Sequence, residues 1–169
     1  MSRAQLLSVA MNFPTVASLS SAWLAHIDFE SGAYDSMISA ISTSLKFREP
    51  TNHDANARVA AVLTNAFLIC GDDEESLHWF GKAREEATKA GDRSTVEAIL
   101  YNRAAFLATL ARAENCIQEA DAEFLHSIRL QMRSSKNFQD LTRFATLPAH
   151  VQLWDGRMLM LEKNFSAAI

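Results

Sequence analysis

The amino-acid sequence predicts an all-α protein of antiparallel helix pairs stacked one on the next. Apolar residues recur at threes and fours along almost the whole chain, the period of a helix with one buried face, and no alternating pattern of useful length suggests a strand. Helix breakers are scarce, Gly 5 and Pro 3 among 169 residues, which favours long helices with short connections. Turn positions come back at a nearly constant spacing, so the helices fall into pairs. A lone pair cannot bury both of its apolar stripes, and stacking neighbours is the stable solution.

Taken in order, helices are expected over about 16–30 and 34–47. Residues 57–70 carry apolar side chains at 59, 62, 63, 66, 67 and 70, one face of a helix. In "GDDEESLHWFGKAREEATKAGD", residues 71–92, Gly71 is a turn and Asp72, Asp73, Glu74 and Glu75 begin the next helix, about 73–90. Acids there complement the exposed N–H groups of a helix start. Leu77, Phe80, Ala83 and Ala87 repeat at helical spacing, with Ser76, Phe80 and Ala83 as the packing face and Glu85 and Lys89 as an i,i+4 pair on the wet side. Ser94 with Glu97 reads as a capping box that starts a helix at about 95–110. A helix at about 114–134 carries Ile117, Ala120, Phe124, Leu125, Ile128 and Met132. It ends in "RSSKN", with Arg129, Arg133 and Lys136 near its negative end. Pro148 divides 138–162 into two helices with a break near 145–149.

Hydrophobic residues make up 49% of the chain and charged residues 21%, which suits an ordered globular domain. A net charge of −4 offers no basic footprint, so direct nucleic-acid binding is not expected. No stretch approaches the ~20 apolar residues of a membrane span, and "MSRAQLLSVAMNF" lacks the apolar run of a secretory signal. Cys70 and Cys116 have no metal-ligand spacing and read as two packed, reduced thiols, which implies a cytoplasmic location.

Little in the chain points to chemistry. Four consecutive acids do not supply the alternating ligands of a calcium loop. His26, His53, His78, His126 and His150 show neither HxxxH nor HExxH spacing, so no metal site is expected. No phosphate-cradling or nucleophile-elbow motif occurs, so neither a cofactor nor an enzyme activity is expected.

Turn positions recur at Gly32, Gly71 and Ala111, spaced 39 and 40 residues, with Lys163 as a fourth turn after a longer step. Seven or eight residues before them sit Leu24 and Ala25, Leu63 and Thr64, Ala104, and Gly156; five after them sit Met37, Ser76, Cys116 and Ala168. "GAYDSMISAI", "GDDEESLHWFGKA", "ILYNRAAFLATLA" and "LWDGRMLMLEKNFSAAI" carry this pattern over about 16–169, in units of about 16–50, 55–92, 94–135 and 149–169 of a single domain. In these stretches the chain resembles the tetratricopeptide repeat family, with Asp28 in place of the usual aromatic residue. The period exceeds the family's usual ~34 residues and is similar to that of sensor domains of large bacterial transcriptional regulators. The resemblance implies a right-handed α-solenoid whose first helices line a concave face that holds a protein or peptide.

On that register the groove positions are His26, Phe29, Arg58, Asn65, Leu68, Tyr101, Asn102, His150 and Arg157. Asn65 and Asn102 match two asparagines that hold the main chain and terminal carboxylate of a bound peptide in part of the family. Ala61 and Trp154 stand where that subset has cations, which implies a groove of mixed polarity. The last helix is apolar on nearly every side, and "FSAAI" begins a further helix and stops. An uncapped repeat end exposes an apolar patch. Trp154, Met158, Leu161 and Phe165 are therefore expected to form an interface, to a continuing chain or to a second copy in a homodimer. The expected function is a non-catalytic interaction scaffold, as in the sensory or regulatory part of a bacterial regulator. A secretion chaperone and an oligomerisation domain are the alternatives.

Overall fold

The computed structural model of the protein describes residues 2–115, 121–142 and 148–162. Its described residues form helices and turns without a strand: α1 (Ser2–Ala10), α2 (Pro14–Glu30), α3 (Tyr34–Lys46), α4 (His53–Ile69), α5 (Asp73–Lys89), α6 (Arg93–Asn115), α7 (Ala122–Thr142) and α8 (Pro148–Leu161). None is long and apolar enough to cross a membrane. The chain divides into two compact units, 1–92 and 93–169.

In the first unit α2 is central, packing against α1, α3 and α4, and α4 packs in turn against α5. Nearly every connection is the same tight turn. Gly71, at φ +76°, follows α4; its N–H donates to the Leu68 carbonyl (3.2 Å), and that of Asp72 to Phe67 (3.0 Å). Paired bonds of this kind satisfy the last carbonyls of a helix and need a residue in the left-handed region, which glycine adopts without a Cβ penalty. The turns after α2 and α5 repeat the geometry at Gly32 and Gly91. Asn12 does the same after α1, a helix the apolar pattern does not announce.

Measured from these glycines, the two helix pairs carry small buried residues at matching positions. Ser18 and Ser44 lie 14 before and 12 after Gly32, and Ala57 and Ala83 hold the same offsets from Gly71. All four are buried. Ser18 and Ser44 bridge α2 and α3 directly: each hydroxyl donates to the other residue's carbonyl, at 3.1 and 2.9 Å. In the second pair the Ser76 hydroxyl donates to the Thr64 carbonyl (2.9 Å). Small side chains let helix axes approach, and the local carbonyls satisfy the hydroxyls buried with them.

The acid run starts α5 as expected. The Asp72 carboxylate accepts from the Glu75 N–H (3.1 Å) and three further acids occupy the first turn. Glu85 and Lys89 pair at 2.6 Å. Other expectations need correction. The helix expected from 57 begins at His53, because Asn52 caps it by accepting from the Ala55 N–H (3.4 Å). It is buried on two sides, since α2 and α5 both cover it, and the single face read from the sequence is incomplete. Cys70 is exposed, not packed, because it follows the last turn of that helix; Cys116 lies outside the described residues. Leu77 is 53% exposed, pointing away from the Ser76–Ala83–Ala87 stripe.

Glu86 ties α4 to α5. Its carboxylate accepts from His53 Nδ1 (2.9 Å), Asn56 Nδ2 (3.2 Å) and Lys89 Nζ (3.3 Å), and Arg48 Nε donates to Asn56 Oδ1 (3.0 Å). Burial pushes the Glu86 carboxyl up, but hydrogen bonds from His53, Lys89 and Asn56, with the Lys89 charge, outweigh it and hold the group below its ordinary value. A folded-state value below the unfolded one stabilises the fold above the unfolded carboxylate pKa of about 4.3, and that contribution is lost as pH falls through the lower folded value. Urea midpoints measured below that pH should fall less steeply for Glu86→Gln than for the native chain. Equal slopes would show that the network adds no acid sensitivity.

The second unit packs α6 against α7, with α8 touching both. Here the spacing of turns misleads. Ala111, expected as a turn, is fully buried inside α6, which runs to Asn115. Alanine is the best helix former and does not stop a helix as glycine does. Ser94 lies one residue inside α6, which begins at Arg93, and the buried Glu97 carboxylate accepts from Gln139 Nε2 of α7 (2.6 Å). α7 does not end at "RSSKN" but continues to Thr142, so 138–142 belong to it. Ile128, Met132, Ser135 and Gln139 form one buried stripe through the supposed end. The expected turn at Lys163 and the segment "FSAAI" lie outside the described residues, as does most of the break expected near 145–149, between Thr142 and Pro148.

Candidate functional site

The first unit gathers a charged and aromatic cluster where α2 meets α4. Trp23 and His26 are one turn apart on α2, with their rings edge to face at 6.0 Å. From α4 the Arg58 guanidinium lies over the Trp23 ring, 3.8 Å from its centroid. All three side chains are partly buried. The Arg58 side chain makes no hydrogen bond or ion pair to any described residue. A guanidinium stacked on an indole is fixed in orientation while its N–H edge stays open, the arrangement that suits bidentate recognition of a carboxylate.

Electrostatics sharpen this. Burial lowers the basicity of Arg58, and the charges of Asp92 and Asp54 partly restore it. An arginine remains a cation throughout the physiological range. Burial, then the Arg58 charge, pushes His26 down against the opposing pull of Glu30, so His26 is neutral near pH 7 and offers one donor and one acceptor. Asn65 sits seven residues beyond Arg58, two turns along the same side of α4. It is half-buried, and its side chain makes no hydrogen bond to a described residue.

Not every expected groove residue is there. Phe29 is buried, its ring edge to face with Tyr34 at 6.3 Å, because it closes the α2–α3 hairpin. Leu68 is buried in the core, its carbonyl committed to the turn at Gly71. Trp23 was missed from sequence, although its position one turn before His26 on the same helix side is the signal that places it.

In the second unit Tyr101 is buried and its hydroxyl accepts from Trp154 Nε1; their rings lie edge to face at 6.5 Å. Arg157 covers the Trp154 ring at 4.6 Å, and Asn102 is exposed. The side chains of His150 and Phe165 lie outside the described residues. Trp154, Met158 and Leu161, expected as an exposed interface, are buried within the unit, since α6 and α7 cover that side of α8; the exposed apolar side chains of α8 include Leu153 and Met160.

Among the described residues no three His, Cys, Asp or Glu side chains gather so as to hold a metal ion. Compared with models of protein families, with curated proteins and with solved structures, the chain matches none, so its own geometry and chemistry carry the functional reading.

Proposed function

We propose that this chain is a non-catalytic scaffold that holds a peptide or protein segment along the side shared by α2 and α4. The supporting observation is Arg58: a partly buried cation, stacked on Trp23 and without a hydrogen bond or ion pair among the described residues. Desolvating a charge without pairing it is costly, and a ligand carboxylate would supply the missing partner. Asn65 would hold the ligand main chain two turns away, and neutral His26 would add a hydrogen bond. The helix pairs would belong to a right-handed tetratricopeptide-like solenoid, with the first helix of each pair lining its concave side. Such a scaffold suits the sensory or regulatory part of a cytoplasmic bacterial regulator.

A library of random displayed peptides, panned on the intact chain, should enrich sequences with an acidic residue at a constant place. Arg58→Ala should weaken the selected peptides by about tenfold or more, the scale of a hydrogen bond to a charged group, while the far-ultraviolet circular dichroism stays unchanged. Equal binding to the native and Arg58→Ala chains would overturn the reading.

A further inference from the structure

The groove between α7 and α8, entirely within the second unit, carries a separate inference. It holds a half-open pocket of about 400 Å³. Arg129, Arg133 and Lys136 line one wall, spaced four and three residues apart and so on one side of α7. Because α7 continues to Thr142, these cations do not neutralise a helix end and stand in mid-helix. Arg129 is engaged by Glu162. Arg133 and Lys136 are exposed, lie one turn apart, and have no ion-pair partner among the described residues. Met132, Met158 and Leu159 supply the apolar part of the lining, and Asp155 stands on the α8 side.

We propose that this groove binds a small amphiphilic anion: one carboxylate or phosphate head between Arg133 and Lys136, and an aliphatic tail over the methionines. Both cations line the same pocket one turn apart, so a single head can meet both. Asp155 opposes a second negative charge, which disfavours polyanions. Methionine adapts its shape to an aliphatic chain. The volume lies in the range of small-ligand sites, about 300–1,000 Å³. A cavity of about 150 Å³ suffices for benzene, so this one takes a body of roughly a dozen heavy atoms.

Titration calorimetry of the full chain with decanoate, below its micellar concentration, tests the proposal. Saturable binding of one decanoate per chain is expected, with acetate and decanol each weaker by about tenfold or more, because one lacks the tail and the other the charge. The double variant Arg133→Glu, Lys136→Glu should lose a similar factor at exposed positions that do not support the fold. Asp155→Asn should bind decanoate more tightly, since it removes the opposing charge. Undiminished binding in the double variant, equal binding of acetate, weaker binding in Asp155→Asn, or binding to anionic lipid vesicles without binding of free decanoate would each overturn it.

Discussion

Trp154→Ala is expected to destabilise the second unit by about 3–5 kcal/mol, the usual cost of truncating a buried tryptophan. The indole is only 4% exposed, its N–H is bonded to the Tyr101 hydroxyl, and Arg157 covers its ring. Removal leaves a large cavity and a buried tyrosine hydroxyl that has lost this donor. Urea unfolding, with hydrogen exchange followed in α6 and α8, measures the effect. The same variant decides between a core and an interface role for this residue. A core residue changes the unfolding midpoint; an interface residue changes the mass found by light scattering and leaves the midpoint in place.

Ala83→Leu is expected to cost about 1–3 kcal/mol through overpacking, with the first unit losing protection in α4 and α5. Ala83 is 0% exposed and holds the same offset from Gly71 that Ser44 holds from Gly32. At the earlier site the two serines bond across the helix pair, so the helices are close there. A leucine cannot be housed without moving α4 from α5. Leu77→Ala, six residues earlier on the same helix but largely exposed, should change stability by no more than about 0.5 kcal/mol. If the two substitutions cost the same, the packing stripe of α5 is misplaced.

How much of this was legible in the sequence follows from the range of each interaction. The acid run was read correctly because an N-cap needs only Asp72 and the N–H of Glu75. The turns at Gly32 and Gly71 were read correctly because a positive φ is a property of one residue. Ala111 was misread as a turn because spacing alone suggested it, whereas the residue itself favours a helix. The candidate site was legible in part. His26, Arg58 and Asn65 were placed by register, but Trp23 was missed, and Phe29 and Leu68 proved to be core.

By itself, then, the sequence determined the helical class, the start of α5 at its acidic cap and the ends marked by glycine, since hydrogen bonds within a few residues set them all. Only the tertiary structure decided which sides are buried, that α7 runs past "RSSKN", that Trp154 faces inward, and that Arg58 lies on Trp23. Those outcomes depend on which helices are neighbours, and a side chain's burial is set by what covers it.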